Sequence, residues 1–457
     1  MHSTGAAFFL FVTVVLFAYW LVAGLRLARF SVLLAANYFF CARYGLFYLA
    51  LIPACSTIDY LAGLGMQSFQ KPFVRRLFLG LSLAANLGLL VLYRHMTLFL
   101  HEPSKWDWIF PLSLSFYAFQ SLSYTIDIYR NDAAAASTYL GYLAAASFFP
   151  TIQAGPITRP AEILKQLTRK FDLSPSDGSR ALFLIVFGLL KKLLIADYLA
   201  SNLVNRVFDT PNLYSGMENL AAVYVYSLQL YYDFSGYTDI ARGCGLLLGV
   251  RLPINFDRPY TSVNMADFWR RWHITFSNWL RDYLYFSLPG KRTRVWPYLN
   301  LVITMVLGGL WHGATWPFAI WGLLHGSALA VTRRWQAWRG RRPESGWASR
   351  AIRIFCTYQF VCLTWIFFRS PTTAVAIGIL KRIGSLTFSL ENVSTGVVLV
   401  SLLGAAGQAV PKNWYERAVD LFGRTPFYIQ AAAMALAVVA IQLLAGRGAA
   451  PFVYTRF

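Results

Sequence analysis

Residues Tyr298–Trp316 read YLNLVITMVLGGLWHGATW. From Tyr298 to Trp311 the run is apolar, of membrane-span character, with only Asn300 and Thr304 polar. It ends on His312, a titratable imidazole framed by Trp311, Trp316, Gly308, Gly309 and Gly313. An ionisable side chain at membrane depth is costly, and where one occurs it faces a cavity or a pathway. The glycines and Pro317 predict a helix weakened around Gly308–Gly313. Their missing Cβ atoms leave room for another backbone or for a ligand. A hydrogen-bonded structural histidine fits the same residues, so both readings stand at this point.

The rest of the chain agrees with a membrane protein. Of its 457 residues 57% are hydrophobic and only 13% charged, against about 25% charged in a soluble domain. Apolar tracts at Ala6–Leu25, Leu77–Leu92, Ala181–Leu203, Leu220–Leu230, Tyr298–Trp311, Ile354–Phe368, Gly396–Val410 and Ile429–Leu444 predict an all-α integral membrane protein of about ten spans. Lys and Arg outnumber Asp and Glu by 41 to 20. In this setting the basic runs Lys71–Arg76, Lys291–Arg294 and Arg333–Arg342 read as cytoplasmic loops against anionic membrane lipid. No aromatic-interleaved basic patch points to nucleic acid. The five cysteines lack CxxC spacing, so neither a metal site nor a disulfide framework is expected. The first apolar tract has no basic leader or cleavage signal and reads as a retained span. Without a repeat or a long linker, residues 1–457 read as a single polytopic membrane domain.

Three further stretches bear on chemistry. Phe148–Pro160, FFPTIQAGPITRP, holds three prolines and a glycine. It predicts non-helical backbone at membrane depth, tolerated only where protein or an internal cavity satisfies it. Asp267–Leu288 reads DFWRRWHITFSNWLRDYLYFSL; Trp269, Trp272, Phe276, Trp279, Tyr283 and Phe286 step by three and four. That spacing predicts one aromatic stripe along an amphipathic helix too polar to span. Its N-cap is Asp267, or Asn264 with Asp267 in the first turn. His273 lies at the border of the stripe, and Arg270, Arg271 and Asn278 elsewhere around the wheel. An interfacial anchor explains these residues as well as a site does. In Tyr231–Arg242, YYDFSGYTDIAR, the acids Asp233 and Asp239 flank Ser235. They are expected to pair with Arg242 or an arginine of the Trp269 helix, since an unpaired buried charge is costly. His325, in GLLHG, reads as structural. No GxSxG elbow, P-loop, HExxH or Rossmann glycine pattern occurs, which leaves acid/base work for the histidines.

Taken together, PTIQAGPITRP, YYDFSGYTDIARG, LPINFDRPY, DFWRRWHITFSNWLRDYLYFSL, GGLWHGATWPFAIWGLLHG and the ending PFVYTRF closely resemble the membrane-bound O-acyltransferase family. The likeness is strongest to its bacterial branch serving alginate O-acetylation, and 150–326 is the motif-bearing core. The resemblance implies a multi-helix bundle around a central tunnel, with re-entrant and interfacial helices. It places the family's essential histidine on His312 and its second motif residue on His273. Trp269, Arg270, Trp272, Asn278, Trp311, Asp233, Ser235 and Asp239 become candidates for binding or orienting substrate. The implied donor is acetyl-CoA or an acyl carrier thioester, with no tightly bound cofactor and no metal. The implied reaction moves acetyl across the bacterial inner membrane for O-acetylation of alginate, cellulose or peptidoglycan. A periplasmic acetyltransferase partner of the SGNH-hydrolase-like type would complete transfer to the polysaccharide acceptor. D-alanyl or another acyl transfer is the alternative within the family. A glycan or solute transporter is the alternative outside it, but that class predicts an internal repeat, and none is visible.

Overall fold

The computed structural model describes residues 5–43, 45, 47–99, 113–289, 295–340 and 346–444; the PFVYTRF ending, Lys291–Arg294 and the tip of the Arg333–Arg342 run lie outside them. Among the described residues every regular element is helical, as the composition requires. Apart from Ala181–Leu203, the predicted apolar tracts fall on helices Ala6–Leu21, Pro72–Phe99, Gly216–Leu247, Trp296–His312, Trp347–Arg369, Thr395–Ala409 and Phe427–Leu444, with Ala6–Leu25 running four residues and Gly396–Val410 one residue past the helix end. Ala181–Leu203 starts in helix Pro175–Leu190 and continues as π-helical turns at Lys191–Ala196 and Ala200–Val204. By length and composition two described helices, Phe47–Ser68 and Trp347–Arg369, are long and apolar enough to cross a membrane. Thr395–Ala409 and Lys412–Arg424, bent by 96°, make a third if counted as one span. Helix Phe47–Ser68 corresponds to no predicted tract, because Pro53, Ser56, Thr57 and Asp59 interrupt its apolar run.

The chain groups into two compact units. One comprises the described parts of Met1–Phe187, Tyr237–Pro253 and Val419–Thr425; the other comprises Gly188–Gly236, Ile254–Ala418 and Pro426–Phe457. In the first unit, Asp59 is fully buried and accepts from Ser82 Oγ at 2.6 Å, from Asn86 Nδ2 at 3.0 Å and from Ser121 Oγ. Ser82 and Asn86 are four residues apart on one helix, so both reach the same neighbour. The proline-rich stretch is non-helical as predicted: a single turn at Phe149–Ile152, then irregular backbone up to the helix starting at Pro160. Protein satisfies it. Asn37 donates to Ala144 O at 3.1 Å and accepts from Phe149 N at 2.9 Å, and Tyr237 Oη reaches Gln153 Oε1 at 3.0 Å.

In the second unit, helices Trp296–His312 and Trp316–Arg339 pack as a close pair through small residues. A Cβ on Gly309 would run into Phe318 O, and one on Gly322 into Met305 O. The π-helical turns of this unit carry a buried ion triad, with Lys192 Nζ 2.6 Å from both Asp197 and Asp233. Asp233 therefore pairs with a lysine from another helix, where the sequence pointed to an arginine. Tertiary folding brings Lys192 there across forty intervening positions that carry no local signal.

Candidate active site

The Asp267–Leu288 stretch does not form the single helix that its stripe predicts. A first helix, Met265–Trp269, starts at Asn264, whose Oδ1 accepts from Asp267 N at 2.9 Å. Asn264 is thus the N-cap, and Asp267 sits in the first turn. From there Asp267 pairs with Arg271 at 3.0 Å and Arg270 at 3.4 Å. The chain then breaks: His273 takes φ +42°, ψ +54° in the left-handed region, and a second helix runs from Ile274 to Trp279. Such a conformation costs a non-glycine residue about 1–3 kcal/mol and persists only where its surroundings over-determine it.

Asn255 supplies that constraint from 18 residues upstream. Its backbone oxygen accepts from Ile274 N at 2.9 Å. Its Oδ1 lies 3.1 Å from Thr275 N, 3.0 Å from Thr275 Oγ1 and 3.1 Å from His273 Nδ1. The break rotates the stripe. Trp272 goes into an aromatic core with Phe256, Phe268 and Trp365, while Phe276 turns toward the other histidine.

Helix Trp296–His312 runs unbroken through Gly308 and Gly309, so the interruption falls at Gly313, one residue beyond His312. The glycine spaces are also occupied. Phe318 fills those at Gly309 and Gly313, and Leu280 and Phe276 stand 3.0 and 3.4 Å from where a Gly308 Cβ would be. They serve close packing of the protein on itself.

His312 is 4% exposed and enclosed by rings, with centroids 4.8 Å from Trp311, 5.0 Å from Phe368 and 5.4 Å from both Trp321 and Phe276. Phe276 also stacks on His273 at 4.9 Å. One phenylalanine ring therefore touches both imidazoles, while Trp311 stacks on its side at 4.8 Å.

His325 is bound at both nitrogens. Trp269 Nε1 donates to Nδ1 at 3.2 Å, and Nε2 lies 2.8 Å from Thr364 Oγ1. Trp269 thus holds His325, and it also lines a cavity of about 490 Å³ with Arg270, Ser277, Asn278, Arg281 and Arg333. Thr304 lines it too, with its hydroxyl buried and without a hydrogen-bond partner among the described residues. Thr304, Gly308 and His312 are spaced by four on one helix, so the cavity wall and His312 share a stripe. Ser235 is buried, and Asp239 pairs with Arg242 at 3.4 Å within the first unit. Among the described residues no three His, Cys, Asp or Glu side chains are grouped to hold a metal ion.

Residues 38–368 match the membrane-bound O-acyltransferase family. The chain belongs to that family. It is 35% identical over 384 residues to the peptidoglycan O-acetyltransferase of Helicobacter pylori, covering 76% of this chain and 72% of that one. It is 37% identical over 393 residues to the "Probable alginate O-acetylase" of Azotobacter vinelandii, covering 82% and 76%. A teichoic acid D-alanyltransferase of Streptococcus thermophilus is 29% identical over 286 residues, 56% of this chain and 68% of that protein. The chain is accordingly an acyltransferase and a membrane protein.

Two residues of this acyltransferase were not singled out from sequence. Asn255 stands inside the quoted LPINFDRPY, where an amide among apolar and turn residues is the one available signal. Lys192 reads only as an interruption of an apolar tract, although a lysine at membrane depth calls for a carboxylate partner.

Proposed function

We propose that this acyltransferase moves an acetyl group from a cytoplasmic thioester, acetyl-CoA or an acylated carrier protein, across the bacterial inner membrane as a multi-pass protein, for O-acetylation of an exported or envelope polysaccharide. The observation that carries this reading is that His312 and His273 both contact the ring of Phe276, at 5.4 and 4.9 Å between centroids, in a ring-lined, buried setting. In this reading His312 takes the proton of the incoming hydroxyl as its oxygen adds to the thioester carbonyl. Collapse of the tetrahedral intermediate expels the thiolate, which recovers the proton from the imidazolium. The aromatic walls keep water, the competing nucleophile, away from the thioester. His273 orients one of the reactants. The cavity lined by Trp269, Ser277 and Thr304, with Arg270, Arg281 and Arg333 also in its lining, admits the anionic donor.

The two acetyl-transferring relatives are named for different polymers, peptidoglycan and alginate, which supports a polysaccharide acceptor, and its identity is what the experiment names. Acetyl is favoured over D-alanyl because the likeness to the D-alanyltransferases is lower and spans less of the chain. Final transfer to sugar is assigned to a separate periplasmic partner carrying a serine nucleophile.

The test is base-releasable acetate on envelope and secreted glycans, fractionated by polymer, in wild type, a deletion and His312→Ala at matched membrane abundance. Loss from one polymer in both mutants supports the reading and identifies the acceptor. Unchanged acetate in the deletion overturns it. Loss in the deletion alone overturns the role of His312.

A further inference from the structure

We infer that Asn255 is a positioning residue that locks His273 in the tautomer protonated on Nδ1, so that His273 meets the substrate through Nε2 as a hydrogen-bond acceptor. The backbone N–H of Thr275 can only donate, and it points at the Asn255 side chain at 3.1 Å. The facing atom must therefore be the amide oxygen and not the nitrogen. Thr275 Oγ1 donates to the same oxygen at 3.0 Å. An oxygen so committed can only accept, so His273 Nδ1, 3.1 Å away, has to carry its proton. In the neutral ring the lone pair is then on Nε2.

The choice of an amide at this position carries the same message. Asn255 is 1% exposed, and its Nδ2 has no hydrogen-bond acceptor among the described residues. An aspartate would accept the same bonds without burying an unmet donor. It would also place a negative charge against the ring and favour the imidazolium, which has no lone pair to offer. Phe234, Phe256 and Phe276 pack on the His273 ring and bring no charge to it. His325 supplies the contrast within one molecule. Trp269 Nε1–H can only donate to its Nδ1, which fixes the opposite tautomer, with the proton on Nε2 toward Thr364.

The consequence for turnover rests on the proposed role of His273, whereas the tautomer does not. A neutral His273 held this way cannot donate from Nε2 to an oxyanion. It accepts instead, from a substrate hydroxyl or amide N–H.

The experiment is ¹⁵N NMR of the full-length protein labelled at histidine, in detergent or nanodiscs at neutral pH. The His273 signals are assigned by their loss in His273→Gln, and His325 serves as the reference for the other tautomer. The expected result is a protonated Nδ1 and an unprotonated Nε2 at His273, reversed at His325. In Asn255→Ala the His273 signals should move toward a tautomer mixture, and in Asn255→Asp toward the doubly protonated ring. Both variants should lower kcat tenfold or more, with a smaller change in donor KM. A protonated Nε2 at His273 in the wild type overturns the inference, whatever the variants do. If the tautomer is as inferred and responds to Asn255 while His273→Gln keeps full acyl transfer, the assignment stands and the proposed role of His273 falls.

Discussion

His325 and His273 lie in the same unit, both fully buried and both walled by aromatic rings, yet their polar atoms are treated differently. At His325 a tryptophan N–H and a threonine hydroxyl engage the two nitrogens, and Thr364 passes its own proton to Val361 O at 2.8 Å. At His273 the Nδ1 partner is an asparagine that also holds a strained backbone. If His273 acts as proposed, burial is not what separates it from the structural His325; the difference lies in the partners of the ring and in the bent backbone that brings Asn255 to it. The ring of His312 is gripped by Trp311, Phe276, Trp321 and Phe368, and the proposed function groups it with His273.

The comparison can be broken most decisively at His312. His312→Ala should lower acyl transfer by about 10²–10⁴-fold, the usual worth of a general base, with membrane abundance near wild type. Activity within a few-fold of wild type would put His312 in the same class as His325. Next in size is Lys192→Met, which leaves Asp197 and Asp233 buried without their lysine. It should destabilise the protein by about 3–5 kcal/mol, read as a large fall in thermal midpoint in detergent, and Asp233→Asn combined with it should recover part of the loss. Smaller again is His325→Leu, which strands Trp269 Nε1–H while the Thr364 hydroxyl keeps its bond to Val361 O. A stability loss of about 1–3 kcal/mol is expected, with turnover per folded molecule nearly retained. Turnover collapsing in well-folded His325→Leu protein would erase the distinction drawn here. The mildest test is Arg281→Gln at the cavity. Its arginine is half exposed and shares its charge with Asp282 at 2.8 Å, so the apparent donor KM should rise only several-fold, with kcat unchanged.

Sequence made some of this legible and hid the rest for identifiable reasons. The Asn264 cap, the pairing of Asp239 with Arg242 and the irregular backbone after Ile152 all follow from local chemistry, and all are present. The aromatic periodicity from Trp269 to Phe286 was read as one helix face because nothing local marks the break. No glycine or proline stands at residue 273, and the left-handed turn is imposed by an asparagine 18 positions away. The run of glycines before His312 suggested a weak helix and open space, whereas the facing chain fills that space, which no single-sequence pattern records. Helix Phe47–Ser68 was hidden for the opposite reason. Its polar residues answer to partners on neighbouring helices, such as Ser82 and Asn86 for Asp59.

Phe276 has a consequence for anyone who would re-engineer this enzyme. A single benzyl group is the shared wall of two imidazoles, so the placement of His273 and that of His312 are not separable design variables. Trimming the ring would slacken His273 and His312 together. A redesign for new donors would have to rebuild that wall from its neighbours, Trp311 first, before touching the phenylalanine itself.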